Sequence, residues 1–204
     1  MAAEPTCAEE LLDLGRLDRS FFARDAKTVA RALVGTYLVV RTPRAERDDA
    51  ATPADGGRVR AVRIVETEAY RGPTDLACHA RAGLTKRTRT LYGPAGHAYV
   101  FLIYGMYDCF NVVCLGEGSG HAVLVRAGEP VLGVDRGVRT DGPGRLTRAL
   151  GITRAHDGVD LVGGHAVFLA PRAGRPRIEV TPRVGVAYAG AWAEEPWRFL
   201  DAAS

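Results

Sequence analysis

Between Ala98 and Asn111 two apolar, strand-like runs meet at a glycine: Ala98-Tyr99-Val100-Phe101-Leu102-Ile103, the tip Tyr104-Gly105-Met106-Tyr107, then Asp108-Cys109-Phe110-Asn111. A reversal this tight is a β-hairpin, so the middle of the chain is committed to antiparallel pairing. The tip leaves two registers open. A two-residue loop with Gly105 first suits a type II′ turn, pairs Tyr104 with Tyr107 and sets Val100 opposite Asn111. One added tip residue pairs Ile103 with Tyr107 instead and brings Phe101 and Asn111 to one face. For those two to line one pocket, the connection must be an odd loop or carry a bulge. The tip aromatics can be ordinary cross-strand partners, or a wedge that enters a minor groove and prises a base step apart.

The rest of the chain supplies more strands than helices. Strands are expected at 36–40, 59–68, 97–104, 107–115 and 121–126, with shorter ones near 166–169 and 177–181. Residues 1–16 read as a short acidic helical segment with frayed ends. The spacing Val29, Ala30, Leu33 predicts a helix over 25–33, with Gly35 as its stop, and Gly142–Gly151 reads as a loop feeding a short helix stopped by Gly151. Residues 41–58 are polar and rich in turn formers, the pattern of a long, mobile hairpin connection. Strands in the middle and helices before and after them predict an α+β fold, without the regular alternation of a doubly wound sheet. The expected architecture is one domain over 1–204: a curved, mainly antiparallel sheet with flanking helices and a protruding hairpin.

Length and composition narrow the class. A chain of 204 residues, 47% of them hydrophobic, can bury one sizeable core. A net charge of +3 permits a nucleic-acid partner without requiring one. Nearly all the cations are arginine, since Lys27 and Lys86 are the only lysines; this suits bidentate phosphate contacts and equally reflects GC-rich coding. Cys7, Cys78, Cys109 and Cys114 contain no CxxC pair and read as reduced thiols, mostly buried. The N-terminus lacks a signal pattern and no apolar run is long enough to span a bilayer. The expectation is a soluble, cytoplasmic protein.

The chemistry-bearing residues cluster in Ile64-Val65-Glu66-Thr67-Glu68-Ala69-Tyr70. Glu66 and Glu68 are two apart, so a continuing strand points both to one face, and periodicity alone does not choose between them. They read either as exposed strand-end carboxylates or as a base that deprotonates water and stabilises a cationic sugar-like transition state. His79 falls in a turn or short helix. The five histidines show no i,i+4 pair or HExxH arrangement, so neither a catalytic metal nor a cofactor is expected. A carboxylate, stacking aromatics and a projecting tyrosine together suggest chemistry on a nucleobase removed from its stack.

These blocks resemble the alkyladenine-type DNA glycosylases, the 3-methyladenine DNA glycosylases of base excision repair. The likeness runs from about Asp18 to Phe199. It includes Ala32-Leu33-Val34-Gly35, the Ile64–Tyr70 run, Gly72-Pro73-Thr74-Asp75, His79 and the hairpin. Val123-Leu124-Val125-Arg126-Ala127, Gly142-Pro143-Gly144-Arg145-Leu146, Pro182-Arg183-Val184-Gly185-Val186 and Trp197-Arg198-Phe199 complete it. The resemblance implies that Glu68 orients and deprotonates a water attacking the sugar C1′. Arg126 and the carbonyl of Val184 would help hold that water. It further implies that Tyr70, His79 and Phe101 stack on an extruded base and that Asn111 crowds the 2-amino group of guanine. Tyr104, with Met106 beside it, would fill the gap left in the duplex. Two departures stand out: Phe101 where relatives commonly carry Tyr, and Lys86-Arg87-Thr88-Arg89 where some carry Pro-Arg-Asn-Arg. The implied substrate is double-stranded DNA bearing 3-methyladenine, 7-methylguanine, hypoxanthine or ethenoadenine, and the resemblance implies a monomer associated with the nucleoid through its function. A non-catalytic module that recognises damaged DNA, and a hydrolase of free nucleosides or modified RNA, are the rival readings.

Overall fold

The computed structural model describes residues 4–43, 57–135 and 137–204. Three short helices open the chain: α1 (Ala8–Asp13), α2 (Arg19–Phe22) and α3 (Ala26–Leu33). The Asp18 and Asp25 carboxylates accept the backbone N–H of Phe21 and Lys27, satisfying donors that the first turns of α2 and α3 leave free. In α3, Ala26, Val29, Ala30 and Leu33 fall on one face and are buried. That face meets the sheet, and the Thr67 hydroxyl donates to the Ala30 carbonyl at 2.8 Å.

The sheet contains β1 (Tyr37–Pro43), β2 (Gly57–Arg71), β3 (Ala98–Ile103), β4 (Tyr107–Cys114), β5 (His121–Leu132) and β6 (Val167–Ala170), with β7 (Ile178–Thr181) and β8 (Arg198–Asp201). Its order is β3-β4-β5-β2-β1-β6, and β8 joins the second half of β2 and pairs with β7. Each of these pairings is antiparallel. The helix α4 (Pro143–Leu150) starts at Pro143, whose missing N–H costs a first turn nothing, and stops at Gly151 in the left-handed region (φ 74). The α+β reading therefore holds, with helices flanking a mainly antiparallel sheet.

Both faces of the sheet centre are covered. Leu38, Ile64, Phe110 and Val123 pack with Phe22, Leu33 and Leu146 on one side. On the other, Tyr37, Val39, Ala61 and Phe168 enclose Leu11 of α1. Two-sided burial explains why β1 reads as a continuous apolar run rather than an alternating one.

Several boundaries move outward. Of the expected 41–58 connection, 41–43 belong to β1 and 57–58 to β2, while 44–56 lie outside the described residues. β5 continues past Gly128 and Pro130 to Leu132; Pro130 is accommodated where the register with β2 shifts between Ala61 and Val62. β8 escapes the sequence reading: a four-residue strand carries too short a pattern to stand out, and it forms because β2 offers an edge.

The hairpin settles into the odd-loop register. Ile103 pairs with Tyr107, Phe101 with Cys109 and Tyr99 with Asn111. Tyr104 and Gly105 both take positive φ (52 and 70), and the Met106 N–H closes the turn on the Ile103 carbonyl at 3.2 Å. The two-residue alternative is excluded, and Tyr99, Phe101, Cys109 and Asn111 share one face.

Candidate active site

The face so formed is one wall of a cleft of about 690 Å³. Tyr70, His79, Phe101, Asn111, Arg126 and Val184 all line it, and Tyr104 stands on its rim. Met106 does not; it lies 65% exposed at the hairpin tip beside Tyr104, which is 82% exposed. The fold thus brings together side chains spread over more than a hundred positions.

Glu68 lies on the same face of the sheet, in register through Leu124 with Asn111 and Tyr99. Its side chain has no exposed surface, which overturns the strand-end reading. The carboxylate is gripped at both oxygens: Oε1 accepts the Val184 backbone N–H at 2.7 Å and Oε2 accepts the Tyr70 hydroxyl at 2.8 Å. The Arg126 Nε lies 3.5 Å from Oε1, close enough for Coulomb attraction. Burial pushes the Glu68 carboxyl above its ordinary range, and Arg126, the Val184 N–H and the Tyr70 hydroxyl only partly offset that. A carboxylate in this state is a stronger base than one in water.

Arg126 reaches the site through a break in the ladder. Glu66 pairs with Ala127 but Thr67 pairs with Val125, which leaves Arg126 as the extra residue of a β-bulge. Bulges re-aim side chains, and here the guanidinium is delivered to the carboxylates of β2. Its Nε donates to Glu66 Oε1 at 2.7 Å.

Val184 is held in place from behind. The Arg183 guanidinium donates to both oxygens of Asp75 at 2.6 and 2.9 Å, and both side chains are wholly buried. It also donates to the carbonyls of Ala69 and Trp192. Its flat face lies 4.8 Å from the ring centroids of Tyr70 and Trp197. The sequence reading missed this pair: Asp75 and Arg183 are 108 positions apart, and no local pattern joins them. The hydrogen bond from Tyr70 to Glu68 also went unforeseen.

The titratable side chains His79 and Cys109 on the aromatic side of the cleft are uncharged. His79 packs edge-on against Phe101, centroids 4.4 Å apart, and its Nδ1 lies 3.1 Å from the Tyr99 hydroxyl. Burial, with Arg87 and Arg81 nearby, pushes the His79 imidazole down to about 4, so it is uncharged at neutral pH. The Asn111 amide donates to the carbonyls of Tyr99 and Cys109, which fixes its orientation. Burial pushes the Cys109 thiol up to about 11, so it is no nucleophile. Thr88, one of the departures noted above, is buried and donates to the Gly83 carbonyl at 2.8 Å, tying down its own loop. The arrangement can hold a planar aromatic ligand beside a buried base, with a projecting hairpin next to it.

Residues 20–204 match the family model described as methylpurine-DNA glycosylase. A protein of Myxococcus xanthus, provisionally named 3-methyladenine DNA glycosylase, is 54% identical over 184 residues, covering 89% of this chain and 88% of its own length. Proteins bearing the same provisional name from Anaeromyxobacter and from Methanocella arvoryzae are 52% and 43% identical, over 90% and 91% of this chain and 88% and 92% of their own lengths.

Proposed function

This chain belongs to the methylpurine-DNA glycosylase family, and from that premise we propose that it excises methylated purines from duplex DNA by base flipping and water attack. One observation carries the reading: a desolvated carboxylate, gripped at both oxygens, lies beside an aromatic-lined cleft of about 690 Å³. The water oxygen bonds to the sugar C1′ while Glu68 takes one of its protons, and the N-glycosidic bond breaks with its electron pair passing to the base. Arg126 and Val184 flank the Glu68 Oε1 edge where that water is admitted. A purine methylated at N3 or N7 is cationic in the nucleotide and leaves neutral, so it needs no proton. Hypoxanthine and ethenoadenine are neutral and must be protonated on leaving; His79, uncharged at neutral pH, is a poor donor. The cationic lesions 3-methyladenine and 7-methylguanine are therefore the preferred substrates.

Tyr104 fills the space the extruded base leaves, and the damaged base costs less to unstack than an intact one, by up to a few kcal/mol. Arginine contacts to phosphate make binding weaken with salt. The protein acts as a monomer, with cleft and wedge supplied by one chain.

The test is release of a single 3-methyladenine from a labelled duplex, run without added metal, with alkali cleaving the abasic product. Wild type is expected to release the base. Glu68→Gln should bind the duplex normally and turn over about 10²- to 10⁴-fold more slowly, the usual worth of a positioned base. Near-normal turnover in the variant would remove Glu68 from this role. Tight lesion binding without release by wild type would instead favour a recognition module.

A further inference from the structure

The reading above gives a task to one carboxylate of the Glu66-Thr67-Glu68 run and none to the other. Glu66 is nonetheless held as tightly as Glu68. Its Oε1 accepts the Arg126 Nε–H at 2.7 Å and the Arg198 Nε–H, from β8, at 2.6 Å. Charges then alternate along the array Arg198, Glu66, Arg126, Glu68.

A guanidinium is a rigid planar fork: fixing the Nε–H fixes where its two amino ends point. With Nε drawn back onto Glu66, no hydrogen bond among the described residues engages the amino ends of Arg126, and Arg126 lines the cleft. The same tether decides how Arg126 divides itself between two carboxylates, standing 2.7 Å from Glu66 and 3.5 Å from Glu68. We propose that Glu66 is a positioning residue: with Arg198 behind it, it tethers the Arg126 Nε–H so that the amino ends serve the cleft and Glu68 is spared a full ion pair. Without the tether, Arg126 would close on Glu68, neutralise it and withdraw from the cleft.

The groups that face Glu68 are Glu66 and Tyr70 of β2, Arg126 of β5, Cys109 of β4, Arg198 of β8 and Arg183 of the loop after β7. Burial and the Glu66 charge both hold the Glu68 carboxyl up, so removing that charge must make Glu68 ionise more easily. This gives Glu66 a signature that general loosening of the site lacks.

The inference rests on the proposed roles of Glu68 and Arg126, and its test separates the two. Single-turnover release of 3-methyladenine is measured from pH 4 to 9 for wild type, Glu66→Gln and Glu66→Asp, with duplex affinity alongside. The carboxyl ¹³C signal of Glu68 is titrated in parallel, which needs no excision. In Glu66→Gln the plateau rate is expected to fall roughly 10- to 100-fold, the cost of a misplaced group. Its acid limb and the Glu68 titration should both move to lower pH, with affinity unchanged. Glu66→Asp keeps the charge but withdraws the oxygen by a methylene, so its plateau should fall and its limb should move to lower pH by less than that of Glu66→Gln; it also serves should the Gln variant not fold. An unchanged plateau, or a lower plateau with an unmoved limb, would overturn the proposal. A wild type that releases nothing, with the Glu68 titration still moving as stated, would reject the excision reading and leave the tether standing.

Discussion

Replacing Asp75 by Asn preserves the side chain's shape and removes one charge from a pair that is wholly buried on both sides. Asp75 accepts two N–H bonds from Arg183 and the backbone N–H groups of Arg71 and Ala77 at 3.1 and 3.0 Å. An amide offers one acceptor oxygen and turns an NH₂ toward the guanidinium or a backbone donor. Stranding one partner of a buried pair costs about 3–5 kcal/mol. Arg183 would keep the Ala69 and Trp192 carbonyls and its two aromatic faces, which points to the lower end, about 3 kcal/mol. With a urea dependence of about 2 kcal/mol per molar, the unfolding midpoint should fall by about 1.5 M. Trp192 and Trp197 border Arg183 and report the transition by fluorescence. Adding Arg183→Met should recover most of the loss, because an apolar pair replaces a lone buried charge. A midpoint lowered by less than about 0.3 M at unchanged slope would refute the argument, since at that slope the loss is well under about 1 kcal/mol.

Three further outcomes follow from the site. Glu68 has its folded value raised above the ordinary 4.5, so its contribution to stability is present below that pH and lost as pH rises through the folded value. The melting temperature of Glu68→Gln should therefore gain on wild type between pH 4.5 and 8; a gap that narrows instead would contradict the desolvation argument. His79 is depressed from 6.5 to about 4, so its contribution is full above 6.5 and lost as pH falls toward 4. A His79→Gln variant should lose less stability over that interval, read by thermal unfolding at matched pH values. Tyr104→Ala should change stability by no more than about 0.5 kcal/mol because the side chain is 82% exposed, yet reduce base extrusion reported by 2-aminopurine fluorescence. Unchanged extrusion would remove the wedge.

Periodicity and turn chemistry made most strands, the α3 face, the Gly151 stop and the hairpin's existence legible, because each is written within a few neighbouring residues. The likeness spread from Asp18 to Phe199 likewise rests on residue types in order, which is enough to mark the family. What stayed hidden is non-local. The tip sequence is compatible with two registers, and the choice came from two successive positive-φ residues and the pairing of Ile103 with Tyr107. Glu66 and Glu68 are equivalent by alternation; only packing buries one completely and gives the other two arginines.

The amino-acid sequence by itself thus determined the α+β class, the acid run, the hairpin and the family, since local steric preference and residue identity suffice for these. Tertiary structure alone decided which carboxylate is desolvated, that a bulge delivers Arg126, and that Arg183 and Asp75 lock Val184 onto Glu68. Desolvation and charge pairing depend on distance in space, and the partners that set them lie on strands and loops far apart along the chain.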